Sequence, residues 1–493
     1  MDDTKRPSPS DEQEIIVAST LNRQPNQPIV VQAGAGTGKT FTLKEVAQEV
    51  SKVGDRILYL VFATRNRDEA RIKFRGIADV HTINGFAYQQ MGVGKLDRRM
   101  GAMYPKQISQ LLGLNHKICD LHSYRFSQIV KSTVDNFCMS GDGRIQRHHA
   151  EGAIAQGNNK ELEGFVLEYA QTLYDRLKPG SNTQFPLGHD LYLKEWCLSG
   201  CPGLDAYDLV VVDESQDSNG VSISAFRRAQ SLLLVGDQHQ SIYGFRNAVS
   251  AMTSFGNTKE HTLSQSFRFG TPIADLANAV VRQKQGGQHF TPLKGLHSIP
   301  SSIGKIRPGD PQCRLYRSNV ELMLDALFLM DRGLDIQILG DMSDLRDKLF
   351  TAWQLYLGNN ITGKKHPLIS QYKDWGALEK VADSGADVEL SIVCNVITEY
   401  KNRIEDLIDM LSKKWISKNP KVTLVTGHRS KGLEFNNVVV CSDFDKSLKA
   451  AKRNGCEDEE LNLLYVATTR ARHILQPDSS FLSILAYRNG LLK

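Results

Sequence analysis

The chain has 493 residues, 41% hydrophobic and 23% charged, a globular composition long enough for about three domain-sized cores and unlike that of a disordered or fibrous chain. The net charge of +5 permits an anionic partner without demanding one. Apolar runs such as residues 57–63 are far shorter than the ~18 residues of a membrane span, residues 1–14 are polar with no signal-peptide core, and eight cysteines are too sparse for a disulfide scaffold, so a reducing, non-membrane setting is expected.

In chain order, residues 28–32 read as a buried parallel strand leading into a glycine-rich loop, and residues 57–63 read as a second strand. A long, mostly helical insertion follows. In it Leu162, Phe165, Val166, Tyr169, Leu173 and Leu177 recur at helical spacing. Two further short apolar strands, 209–212 and 232–235, complete a first α/β unit. The second half repeats the pattern with strands at 336–339, 422–425 and 438–440. Leu390, Val393, Cys394, Ile397, Ile404, Leu407, Ile408 and Leu411 predict one long amphipathic helix, its apolar stripe facing a core. The expected division is residues 1–90 and 203–270 as one core, 91–202 as its helical insertion, and 271–493 as a second core with a reduced helical insertion at about 345–418. Cys197 with Cys201, and His116 with Cys119 and His122, lack a second ligand pair at zinc spacing, so no structural metal is expected.

The chemistry concentrates in a few segments. Ala33, Gly34, Ala35, Gly36, Thr37, Gly38, Lys39 and Thr40 lie between a strand and a helical pattern, the context a phosphate-binding loop requires. Glycines let backbone N–H groups approach phosphate, Lys39 reaches the β and γ phosphates, and Thr40 offers its hydroxyl to Mg²⁺. Alanine stands at position 33, where the strict pattern has glycine. Asp213 and Glu214 end the third strand, placed respectively to hold Mg²⁺ and to take a proton from an attacking water. A helix-capping pair would explain neither the adjacent carboxylates nor Gln216. Arg268 and Arg470 each stand alone in a non-basic setting, suited to neutralising charge on a transferring phosphoryl group.

Taken together, Gln13 and the segments 33–40, 62–65, 82–87, 213–217, 235–246, 263–268, 426–435 and 459–470 resemble superfamily 1 helicases of the UvrD/Rep/PcrA type, in that family's order. Segments 315–319, 366–372 and 387–390 look closer to the F-box DNA helicase branch; no F-box motif is visible ahead of Gln13, so a ubiquitin-ligase role is not expected. The resemblance implies two RecA-like P-loop NTPase cores and an ATP- and Mg²⁺-dependent DNA helicase that translocates 3′ to 5′ on single-stranded DNA. Its expected partners are single-stranded DNA and duplex junctions; a monomer when free and a cytoplasmic or nucleoid-associated location are expected. A translocase that strips bound proteins such as recombinase filaments is the nearest alternative; a decayed ATPase and a small-molecule kinase leave intact residues or whole segments unexplained.

By the same resemblance Gln13 reads the adenine edge, Phe267 stacks on it, Glu434 contacts the ribose, and Gln240, Arg268 and Arg470 sense the γ-phosphate. Phe62, Tyr243 and Phe245 match base-stacking positions, while Thr64, Arg65, Thr82, Thr426 and His428 match contacts to the strand backbone. Asn84 and Phe245 depart from the histidine and tryptophan usual at their positions. The basic cluster Arg65, Arg67, Arg71, Lys73 and Arg75 fits either a DNA border or a solvated helix face.

Overall fold

The apolar runs of the first half become central strands because both faces of their sheet are covered. Strands β1 (Ile29–Ala33), β2 (Ile57–Val61), β3 (Asp79–Thr82), β4 (Leu209–Asp213), β5 (Leu232–Gly236) and β6 (Lys259–Leu263) form a parallel sheet in the order β3-β2-β4-β5-β1-β6. Successive side chains alternate between the faces. Ile29, Val31, Tyr59, Val211 and Val235 pack in one core with Leu43, Val46 and Phe74. Val30, Leu58, Leu60, Val210 and Leu234 face the other, where they share a continuous core with Phe126, Leu173 and Trp196. The inserted helices Pro105–Leu112, Ser123–Met139, Lys160–Leu177 and His189–Leu198 thus share a continuous core with one face of the sheet.

This computed structural model describes residues 8–96, 98–119, 121–150, 152, 160–181, 184–244, 249–287, 289–359, 365–383, 388–412 and 420–492. The chain divides into two units, Met1–Arg268 with Phe290–Lys294, and Phe269–His289 with Gly295–Lys493.

The second unit carries another parallel sheet, β7 (Ser302–Ile303), β8 (Gln312–Tyr316), β9 (Ile336–Ile338), β10 (Val422–Thr426), β11 (Phe435–Val440) and β12 (Ala471–Pro477), in the order β7-β12-β11-β8-β10-β9. Both units are RecA-like α/β cores. Helices Ser343–Tyr356, Pro367–Ser370, Trp375–Asp383, Val388–Glu399 and Ile404–Ser412 lie between β9 and β10.

The expected long helix at 390–411 is instead two helices separated by a 3-10 turn at Lys401–Arg403. Tyr400, at φ −111° and ψ 28°, leaves helical geometry, and the Arg403 guanidinium reaches across to Asp331 as well as to Asp406. The apolar stripe survives the break, with Leu390, Ile397, Ile404 and Leu407 all fully buried. Among the described residues no helix is long and apolar enough to cross a membrane.

Candidate functional site

All strands of the first sheet run parallel, so their carboxyl ends share one edge, where open α/β sheets bind ligands. The loop after β1 leaves from that edge and enters the helix Lys39–Lys52, whose first turn presents N–H groups and the positive end of its dipole. Gly36 and Gly38 sit at φ +75° and +80°, in the left-handed region that favours glycine. A Cβ on Gly36 would also lie 2.6 Å from both Arg268 Cβ and Ser266 Oγ. The same construction on Gly38 meets Gln13 Nε2 at 3.0 Å and the Phe267 ring at 3.8 Å.

Gln13, Phe267 and Arg268 are therefore gathered against the loop that contains Lys39 and Thr40. Gln13 is fixed there because its Oε1 accepts the Ser10 N–H at 2.9 Å, closing the start of helix Asp11–Leu21.

At the end of β4, Glu214 adopts φ +56°, a left-handed conformation costing a side-chain-bearing residue about 1 kcal/mol or more. Its carboxylate lies 3.2 Å from Lys39 Nζ and accepts a hydrogen bond from Gln216 Nε2 at 2.6 Å. Gln216 Oε1 in turn accepts the Asp237 N–H at 3.0 Å. The buried Asp237 carboxylate accepts from Gln240 Nε2 at 2.8 Å, His239 N–H at 3.0 Å and Gln32 Nε2 at 3.2 Å. One hydrogen-bonded chain thus joins Lys39, Glu214 and Gln240. Asp213 is held beside it, its Oδ1 accepting the Glu214 N–H and its Oδ2 the Tyr59 hydroxyl, each at 2.9 Å.

Electrostatics follow from this crowding. Burial works to lower the Lys39 pKa, but Glu214, Asp237 and Asp213 outweigh it, so the ammonium is held charged. Burial, reinforced by the Glu214 charge, raises the Asp213 pKa, while Lys39 and Tyr59 oppose the shift. A fixed cation among carboxylates at a helix N-terminus suits a triphosphate accompanied by a metal. The Thr40 hydroxyl and the Asp213 carboxylate are hard oxygen donors, and that donor set fits Mg²⁺.

On the same edge Phe62, 39% exposed, stacks with Tyr243 at a ring separation of 5.6 Å and 21° between planes. Phe62 leaves the sheet because β2 ends at Val61, two residues before the expected limit. Thr64 is exposed at the start of helix Thr64–Lys73; the Arg65 side chain and the whole of Phe245 lie outside the described residues. Thr82 is buried and caps helix Ile83–Gln90, its Oγ1 accepting the Gly85 N–H at 3.0 Å. Asn84 donates its amide to the His189 carbonyl at 3.2 Å.

The remaining residues belong to the second unit. Thr426 ends β10 and precedes the short helix Gly427–Ser430 that carries His428. Glu434 pairs with Arg472 at 3.4 Å. Arg470 is 1% exposed, its guanidinium donating to the Val466 carbonyl at 2.9 Å, the Leu433 carbonyl at 3.0 Å and Thr469 Oγ1 at 3.1 Å. In this conformation Arg470 is engaged by its own unit.

Burial, with the Arg317 charge next, pushes the His428 pKa down to about 4. A base whose pKa is lower folded than unfolded stabilises the fold above its unfolded value of about 6.5, and this is lost as pH falls toward 4. Urea denaturation should therefore show stability falling over that window, with a shallower pH slope in His428→Gln; equal slopes would contradict the assignment.

Sequence reasoning gave no role to Gln32, Tyr59 or Asp237, and left Gln216 as an unexplained neighbour. The signal available for Gln32 and Tyr59 was a polar group inside an otherwise apolar strand. Asp142, His148 and His149 also lie together, each donor atom within 4.8 Å of the others. The Gln146 N–H donates to His149 Nδ1 at 2.9 Å, so Nε2 carries the proton and faces Asp142 at 3.0 Å. That tautomer suits a hydrogen-bonded loop closure, not a metal ligand.

Two family models match the sequence, one described as an AAA domain over residues 13–246 and one as a UvrD-like helicase C-terminal domain over residues 387–476. The chain is 28% identical over 528 aligned positions to F-box DNA helicase protein 1 of Schizosaccharomyces pombe, covering 98% of this chain and 58% of that protein. It is likewise 28% identical over 521 positions to F-box DNA helicase 1 of Gallus gallus, covering 96% and 49% respectively. A shorter stretch of 119 positions is 29% identical to the ATP-dependent DNA helicase srs2 of Schizosaccharomyces pombe, covering 22% of this chain and 12% of that protein. The chain spans about half the length of the two F-box relatives.

Proposed function

We propose that this chain is a UvrD-like superfamily 1 helicase that hydrolyses ATP to translocate 3′ to 5′ along single-stranded DNA and to separate strands at duplex junctions, acting as a monomer. The observation that carries this reading is the continuous chain from Lys39 through Glu214, Gln216 and Asp237 to Gln240 beside the phosphate loop.

In that reading Lys39 neutralises the β and γ phosphates while the loop N–H groups cradle them. Glu214, oriented by Gln216, accepts the proton of the attacking water, a contribution of roughly 10²–10⁴-fold. Gln240, tied through Asp237 to that same base, transmits occupancy of the γ-phosphate position to the segment bearing Tyr243. Thr40 and Asp213 hold Mg²⁺, which when bound supplies charge neutralisation and orientation of the phosphates. Gln13 and Phe267 grip the base, and Arg268 lies beside the loop as a phosphate sensor. Arg470 and Glu434 are assigned to the γ-phosphate and ribose by family likeness, and the Arg470 role requires its guanidinium to exchange its present carbonyl partners.

The DNA side rests on Phe62 and Tyr243. Stacking on an aromatic ring contributes about 1–3 kcal/mol per base and tolerates any sequence. Tyr243→Ala is expected to weaken single-strand binding about 5–150-fold, the equivalent of that energy, measured by fluorescence anisotropy. Unaltered affinity would remove Tyr243 from the DNA face. His428 and the threonines contribute uncharged contacts at neutral pH.

Strand displacement on duplexes with 3′ or 5′ tails tests polarity and unwinding together. Displacement from the 3′-tailed substrate supports the proposal, and displacement from the 5′-tailed one alone contradicts it. Clearance of a recombinase filament without displacement would move the reading to a protein-stripping translocase.

A further inference from the structure

Tyr59 lies two residues inside β2, and β2 pairs with β4 so that Tyr59 is opposite Val211. Val211 and Asp213 are two apart on β4, so their side chains leave the same face of the sheet, about 6.6 Å apart along the strand. A tyrosine reaching along that face spans one such step, and the Tyr59 hydroxyl donates to Asp213 Oδ2 at 2.9 Å. The ring that makes this reach is 1% exposed and is wedged by Phe74, whose ring centroid is 4.3 Å away. The other carboxylate oxygen, Oδ1, accepts the Glu214 N–H, so the group is held at both ends and cannot rotate freely.

We propose that Tyr59 is a positioning residue for the metal-holding carboxylate: its hydroxyl fixes the plane in which Asp213 presents its remaining lone pairs to a divalent cation. This rests on the assignment of Asp213 to Mg²⁺ made above. A carboxylate ligand left free to rotate must be ordered each time the cation binds. Hydrogen bonds to metal ligands from the surrounding shell typically account for 10–100-fold in metal affinity or activity. A buried tyrosine that merely needed a partner for its hydroxyl would also form this bond, so the test must read metal binding and not folding.

The experiment uses the full chain with a non-hydrolysable ATP analogue and follows Mn²⁺ binding by electron paramagnetic resonance. Tyr59→Phe deletes one oxygen and keeps the ring against Phe74. It should weaken Mn²⁺ about 10–100-fold while leaving metal-free nucleotide affinity and the thermal midpoint close to wild type. Phe74→Leu disturbs the packing but spares the hydroxyl, and should lower the thermal midpoint with Mn²⁺ affinity retained. Asp213→Asn separates the two levels of the argument. If it weakens Mn²⁺ and Tyr59→Phe does not, the positioning role is overturned and the cation site stands; if Asp213→Asn also leaves Mn²⁺ affinity unchanged, the assignment of the cation to Asp213 fails first.

Discussion

Replacing Lys39 with alanine is expected to lower DNA-stimulated ATP turnover by at least about 10²–10³-fold, the usual cost of removing one preorganised donor to developing charge. Here the loss is compounded by what surrounds the ammonium. Lys39 Nζ stands 3.2 Å from Glu214, and the charges of Glu214, Asp237 and Asp213 all act on it. Its removal leaves those carboxylates uncompensated where a triphosphate must approach, so nucleotide affinity falls along with the rate. Single-strand binding should persist, because the stacked pair Phe62 and Tyr243 is carried by different loops. Steady-state turnover and anisotropy on the same preparation check both halves, and hydrolysis at the wild-type rate would refute the site.

Glu214→Gln tests the proposed proton acceptor. The amide keeps the size of the side chain and can still meet Gln216, but it cannot take a proton from water. The expected result is a fall in kcat of about 10²–10⁴-fold with nucleotide binding retained or tightened, since one negative charge beside the phosphates is gone. The left-handed backbone at Glu214 is unchanged by this substitution, so the fold should not move. A variant that loses nucleotide binding instead would make Glu214 a binding residue and leave the base unidentified.

The parts of this site that could be read from sequence are those whose chemistry demands particular residues at fixed spacing along one segment. The loop ending at Lys39 and Thr40 and the pair Asp213 and Glu214 are of that kind. Central strands such as β4 and β5 announced themselves as unbroken apolar runs because helices cover both faces. The edge strands β3 and β6 did not: seven of their nine residues are polar, and three of these, Asp79, Lys259 and Glu260, are solvent-exposed at the sheet margin. In the second sheet β8 contains Arg314, whose charge is met by Asp325 from the following helix, a compensation visible only after folding.

What joins the candidate catalytic residues was hidden for the same reason. Gln32, Gln216 and Asp237 meet only because β1, β4 and β5 lie side by side, although they are far apart in the chain. The reach of Tyr59 to Asp213 depends on strand register and not on any local pattern. The break at Lys401–Arg403 likewise left the apolar periodicity intact, so periodicity alone could not reveal it.

In the proposed function, nucleotide chemistry in the first unit is coupled to single-stranded DNA. ATP turnover measured with and without single-stranded oligonucleotide, at two salt concentrations, tests it most directly. Coupling predicts turnover that rises when the oligonucleotide is added, with the DNA concentration needed for half-stimulation increasing at the higher salt as phosphate contacts weaken. Phosphate release that is indifferent to every oligonucleotide offered would contradict it.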